Sequence, residues 1–209
     1  MTDRGLDPAI WPDGVFDLPA GKIADVVTFL ERFPPAPEVD WPPGASLATQ
    51  PRPVGVSAYR AIYRRVGEDL LWMSRAVMPD PTLAEWLNRP TTVVKFLLRA
   101  DRPVGLVELD RAMPRTTEIV SFGLVPDEIG TGIAHPLMKQ VLADEFGLGA
   151  GRVWLHTCTL DHPAAVPFYR RHGFVAYKRA IEVVDDPRLT GALPRDAAPQ
   201  VPIIAPNVE

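Results

Sequence analysis

Apolar and polar positions alternate in two registers along the chain, and the change between them lays out the elements. KIADVVTFLERF (22–33) is a β-branched apolar run after a Pro-Gly-containing turn. It reads as a strand, although periodicity alone also admits a helix. Tyr59, Ile62, Tyr63, Val66, Leu70 and Met73 then recur every three or four residues, which is one face of a helix with Ser57 as its cap. Asp80-Pro81 reads as a cap and a first-turn proline, with Leu83, Trp86 and Leu87 turned inward. From Thr91 the period shortens. TTVVKFLLRA, RPVGLVELDRA and TTEIVSFGLV are three β-rich runs parted by short turns, an antiparallel meander. Ile133, Leu137, Val141 or Leu142, and Phe146 mark a further helix, stopped by Gly147 and Gly149. A strand at 152–160, a short helix at 162–173 and a strand at 174–184 complete the order. The fold class is mixed α/β (α+β), a sheet with helices on its faces.

Proline refines the ends. Of 24 prolines, ten precede residue 54 and five follow residue 186. Proline fixes φ and donates no hydrogen bond, so both ends should be extended and loop-rich. FPPAPEVDWPPG (33–44) cannot be a helix or central strand. The chain divides into one body, 1–184, and an irregular arm, 185–209, laid over it by Val201, Ile203 and Ile204. A chain of 209 residues buries a sufficient core without staples. Cys158 is the sole cysteine, so no internal disulfide forms. The 22 basic and 26 acidic residues argue against nucleic acid as a partner. No apolar run is long enough to span a membrane, and the first residues hold no secretory apolar segment. The expected location is cytoplasmic.

Candidate chemistry starts at Ile129-Gly130-Thr131-Gly132-Ile133-Ala134, between the last meander strand and its helix. Two glycines allow a tight turn and close ligand approach, and a helix start offers unpaired N–H groups to phosphate. The loop lacks the Walker spacing and lysine, and His135 replaces the third glycine of a dinucleotide fingerprint. A plain strand-to-helix turn remains open on this feature alone. The second segment is His162-Pro163-Ala164-Ala165-Val166-Pro167-Phe168-Tyr169-Arg170-Arg171-His172-Gly173-Phe174.

Taken in order, the two segments resemble the GNAT superfamily of acyl-CoA-dependent N-acetyltransferases over roughly residues 90 to 184, by element count. The family's glycine motif lies over 129–134. Its Asn, Ala, aromatic-Tyr and Gly-Phe positions lie over His162, Ala165, Phe168-Tyr169 and Gly173-Phe174. Ile129 and His162 depart from it, replacing Arg or Gln and Asn. The resemblance implies a mostly antiparallel, splayed sheet and acetyl-CoA as co-substrate without a metal. It implies a cofactor arm between strands 117–125 and 152–160, held by the main chain of Phe122, Gly123, Leu124 and Val125. The loop residues Ile129 to Ala134, with His162, Ala165 and Phe168, complete the expected cofactor site. Tyr169 is the expected general acid, because a phenol stays protonated at neutral pH.

Glu118 is the candidate base, with Val120 and Phe122 on its face by strand alternation. Glu108 and Asp110 share a face of the preceding strand. A solvated strand face is the bland alternative. Gly123 suggests a bulge or a close approach. His156, Cys158, Asp161 and His162 match no common zinc spacing. Pro136 and Pro167 could kink their helices. The expected activity is acetyl transfer to a primary amine of a small molecule or peptide by direct attack. A non-catalytic acyl-CoA-binding domain is the alternative, a nucleotide-dependent enzyme a further one. The acceptor, the acyl length and a homodimeric assembly stay open.

Overall fold

A computed structural model describes residues 13–206; the expectation for the first residues of the chain lies largely outside them. The elements run β1 (Lys22–Arg32), β2 (Ala45–Thr49), α1 (Val56–Gly67), α2 (Asp80–Leu87), β3 (Thr92–Arg99), β4 (Arg102–Asp110), β5 (Thr116–Leu124), α3 (Ala134–Gly147), β6 (Arg152–Thr157), α4 (Ala165–Arg171) and β7 (Val175–Asp185). The strands form one seven-stranded sheet in the order β2-β3-β4-β5-β6-β1-β7. Every neighbouring pair is antiparallel except β5 and β6. The α/β class and the mostly antiparallel sheet are as the sequence predicts.

Strand alternation sends side chains to both faces, and each face has its own core. Val94, Phe96 and Leu106 pack with Tyr59, Ile62, Tyr63 and Val66 of α1 and Leu83 and Leu87 of α2. Val107, Leu109 and Ile119 point the other way, to Leu137, Met138, Val141 and Leu142 of α3 and to Tyr169 and Phe174.

Four local expectations change. β2 is a strand that no sequence signal marked; its five residues earn their place by pairing with β3, Ala45 opposite Arg99 and Thr49 opposite Lys95. Helix α1 ends at Gly67 and does not run to Met73. A Cβ at Gly67 would stand 2.3 Å from the Trp72 Cβ, so only glycine lets the chain fold back there. Neither Ser57 nor Asp80 caps a helix: Gly55 and Pro79 hold those positions, and Asp80 instead pairs with Arg60. Pro136 and Pro167 each stand third in their helices. First-turn N–H groups lack intrahelical acceptors, so a proline there breaks nothing.

Val201 packs on the α1 core as expected, and other residues of the arm join it there. Leu193, Ala197 and Ala198 are buried against the α1 core, whereas Ile204 is exposed. Buried Arg188 donates to Asp186 at 2.9 and 2.7 Å and to the carbonyls of Ala197, Ala198 and Val201 at 3.1, 3.2 and 2.8 Å. One guanidinium thereby closes the turn of the arm on itself.

Candidate active site

The single parallel pair opens a fork. β5 and β6 pair only over Thr116–Ile119 and Arg152–Leu155. Beyond that β6 stays with β1, to Thr157 opposite Thr28, and β5 stays with β4, to Leu124 opposite Gly105. The β4–β5 register slips between Leu109–Ile119 and Glu108–Ser121, which places a bulge at Val120. A bulge adds one residue and reverses the alternation after it. Phe122 therefore joins Ile119 on the α3 face. Glu118 lies on the α1 face, so the expected shared face of Glu118 and Phe122 does not exist. The bulge is at Val120 and not at Gly123. Gly123 serves close approach: a Cβ there would meet Val66 Cγ1 at 2.3 Å. Leu124 is half-buried beside the α3 core. Val125 is buried in the α1 core, its N–H donating to Val104 O at 2.9 Å and its carbonyl accepting from Glu128 N at 3.0 Å. Both main-chain groups of Val125 are thus engaged within the protein, which leaves Phe122 to Leu124 to face the fork.

At the end of β5 a 3₁₀ turn, Pro126–Glu128, leads into the glycine loop. Gly130 and Gly132 have φ of +83° and +85°, and a Cβ on either would meet no atom. L side chains avoid that region, so glycine is required by the backbone and the space beside it stays open. The Thr131 hydroxyl donates to Glu128 O at 2.8 Å and shapes the turn. Ile129 is 47% exposed, while Ile133 is buried beneath the loop and Ala134 begins α3. The amides of Gly130, Gly132 and Ala134 have no acceptor among the described residues. Unpaired amides, open space and the positive end of α3 fit a diphosphate.

Helix α4 closes the α3 face of the fork. His162 is exposed and its Nδ1 accepts from Ala164 N at 3.1 Å, so it caps the turn before α4 and leaves Nε2–H turned outward. Ala165 and Phe168 pack on the α3 core. Phe168 lies 5.7 Å from Phe122 and 5.2 Å from His135, ring to ring. Tyr169 meets Phe122 and Phe174 edge to face at 6.4 and 5.9 Å. Rings thus run unbroken from the first turn of α3 to Tyr169. Tyr169 is 8% exposed. Burial pushes its phenol above the usual range, so it carries its proton at every physiological pH.

The α1 face of the fork carries the acids. Burial, with Asp110 and Glu108 nearby, pushes the Glu118 carboxyl up to about 7. His156 Nδ1 lies 3.7 Å from Glu118 Oε1. Burial lowers the His156 pKa, so the imidazole is neutral at pH 7. Nothing in the local spacing of either residue marks their approach, which the side-by-side strands β5 and β6 bring about. The signal lies in the topology: the strand following α3 places its polar positions beside β5 if the two strands are parallel. Glu108 is not on a solvated face. It is wholly buried and accepts from Tyr59 Oη, Arg75 Nη2 at 2.9 Å and Trp86 Nε1 at 2.7 Å. Held by these three donors, it locks α1, α2 and β4 together and is shut away from an incoming amine. Burial pushes the Cys158 thiol up to about 12, so it supplies no thiolate. Asp161 accepts from Thr157 Oγ1 at 2.6 Å, Cys158 N at 3.0 Å and Trp72 Nε1 at 2.8 Å, pinning the end of β6 to the loop after α1. Among the described residues no three His, Cys, Asp or Glu side chains converge as metal ligands, and no helix is long and apolar enough to cross a membrane.

Comparison with known proteins agrees with this geometry. Residues 52–174 match the model of the acetyltransferase (GNAT) family. An uncharacterized N-acetyltransferase of Mycobacterium bovis is 36% identical over 99 residues, 47% of this chain and 63% of the relative. One of Mycobacterium tuberculosis H37Rv matches equally. The aligned stretch thus spans less than two thirds of these curated relatives. The crystal structure of a GCN5-related N-acetyltransferase from Sphaerobacter thermophilus superposes with a TM-score of 0.59 at 18% identity, over 78% of this chain and 52% of that one. A GCN5-related N-acetyltransferase from Kribbella flavida gives 0.53 at 20% identity, over 82% and 63%. At such identities these two report the fold alone. The family match covers more than half of the sequence and takes in the fork, the glycine loop and α4: the chain belongs to the GNAT family of acetyltransferases.

Proposed function

We propose that the chain transfers an acetyl group from acetyl-CoA to a primary amine by direct attack within a ternary complex. One observation carries the reading: the fork has a glycine loop and a protonated phenol on its α3 face and a carboxylate near neutral pKa on its α1 face. A thioester arm entering from the α3 face and an amine entering from the α1 face meet in the gap between β5 and β6.

Each residue then has a task. The amides of Gly130, Gly132 and Ala134 hold the diphosphate. Phe122, Gly123 and Leu124 present main chain to the pantetheine arm. A main-chain N–H beside the acetyl oxygen stabilises the charge that grows there. Glu118 takes the proton from the amine, directly or through His156 or water, and a pKa near operating pH suits a base. As the tetrahedral intermediate collapses, the C–S bond breaks and Tyr169 protonates the departing thiolate. Nothing in the cycle asks for a metal. The acidic α1 face favours a cationic acceptor, from a small molecule or a peptide.

Thiol release from acetyl-CoA against a panel of amines, amino acids and peptides tests the activity. Tyr169→Phe separates chemistry from binding. The expected result is a fall in kcat of about 100-fold, the usual contribution of a general acid, with CoA affinity within twofold. An unchanged kcat removes Tyr169 from the mechanism. CoA binding without thiol release on any amine would favour the acyl-CoA-binding alternative.

A further inference from the structure

The glycine loop brings no cationic side chain of its own. Ile129 occupies the position where a charged or amide side chain would reach a phosphate, and it is apolar and exposed. Beside the loop lies a cavity of about 380 Å³, walled by Thr131, Gly132, Ile133 and Pro136, by the strap Asp40–Pro43, and by Arg99. The strap and Arg99 lie at the same end of the β2–β3 ladder. Ala45 pairs with Arg99, so the ladder sets the end of the strap next to the guanidinium. Trp41 Nε1 donates to Gln140 Oε1 at 2.9 Å, which fastens the strap to α3. The strap lies outside the residues that match the family model, 52–174.

Arg99 Nη1 lies 3.1 Å from Glu128 Oε2, and its side chain is 45% exposed. The Glu128 side chain is mostly buried at the root of the loop and also meets the Thr131 hydroxyl at 3.4 Å. A lone carboxylate there would repel an incoming phosphate. Arg99 cancels that charge through one nitrogen, and a guanidinium has five N–H groups in all. The donors left over face an open cavity lined by the loop whose amides are unpaired. Guanidinium–phosphate pairs are among the stronger charge-assisted contacts. Asp40, exposed on the far rim, adds an acceptor suited to hydroxyl or amine donors. One cation, one carboxylate and a tryptophan-proline wall suit a nucleotide better than a bare polyanion.

We propose that Arg99 is the phosphate-binding cation of this protein, replacing the side chain missing at position 129, and that Asp40–Pro43 walls the nucleotide end of the same site. The proposal rests on the acetyl-CoA reading above and adds residues to it. A cofactor phosphate can be the diphosphate or the ribose 3′-phosphate, and the test separates them.

Isothermal titration of the full chain with CoA and with 3′-dephospho-CoA, for the wild type, Arg99→Gln, Glu128→Gln and the double variant, decides it. Arg99→Gln should weaken CoA at least tenfold and flatten the dependence of log Kd on log salt. A loss of equal size with 3′-dephospho-CoA assigns the diphosphate; a loss confined to CoA assigns the 3′-phosphate. The double variant should stay weak, because removing the Glu128 charge does not restore the donors. Thermal unfolding of each variant checks that the fold is kept, and Arg99→Lys, which retains the charge, should recover part of the affinity. Arg99→Gln binding within twofold of wild type overturns the proposal. So does wild-type affinity in the double variant, since Arg99 would then only neutralise Glu128. A wild type that binds neither ligand overturns the acetyl-CoA reading itself, a distinct result.

Discussion

Glu118 is held between two influences that set its proton. Burial and the acids Asp110 and Glu108 raise its pKa to about 7, and Arg75 opposes them but spends its charge on Glu108. A base works only when deprotonated, so acetyl transfer should rise with pH through about 7 and level off above it. Glu118→Gln should lower kcat/KM at pH 8 by about 100-fold and erase that limb. A limb that survives in the variant assigns the titration to another group. Burial lowers the His156 pKa from its ordinary value and keeps the Tyr169 phenol protonated, so Glu118 is the group raised into this window. Glu108 shows why residue type alone misleads. It has the same side chain, a few residues away on the neighbouring strand, yet three donors make it a fastener.

At the scale of elements, the fork depends on how closely α1 lies on β5. Gly123 gives that closeness, because any side chain would collide with Val66. Gly123→Ala should cost about 1–3 kcal/mol, the usual penalty for overpacking, seen as a lower Tm. No change in Tm would mean that α1 can shift at no cost. Helix α4 is fixed at both ends without a standard cap. His162 binds Ala164 N at its start, and Arg32 of β1 donates to His172 O at its end. Gly173, with φ of +80°, leaves the space that Arg32 fills. The Gly-Phe pair after α4 therefore ties the helix bearing Tyr169 to the end of β1.

Over the whole molecule, two helical layers and one arm cover a sheet that only its parallel pair divides. The arm packs Leu193, Ala197 and Ala198 on the α1 core, and Arg188 holds it in shape. Arg188→Ala would take from buried Asp186 its countercharge, leaving it only the main-chain N–H of residue 188 at 3.0 Å, and would release three carbonyls. Breaking such a buried pair typically costs about 3–5 kcal/mol, so the urea midpoint should fall well below that of the wild type. An unchanged midpoint would show that the arm contributes nothing to the folded body. We propose that 185–209 is part of the structural unit formed by the body and not an appended tail.

The sequence by itself determined the period of nearly every element, the order of strands and helices, the glycine loop and the register of the Phe168-Tyr169 pair. These rest on local forces: side-chain alternation, helical spacing, and the φ that glycine and proline allow. It did not reveal β2, whose five residues become a strand only because β3 offers them an edge. It did not show that Val120 bulges and turns Phe122 away from Glu118, because a bulge is set by pairing with a strand far along the chain. The meeting of Glu118 with His156, the burial of Glu108 and the convergence of Arg99 with Asp40–Pro43 on the glycine loop were likewise decided by the tertiary structure. In each, groups tens of residues apart share one low-dielectric or crowded place, and proximity of that kind leaves no mark on local spacing.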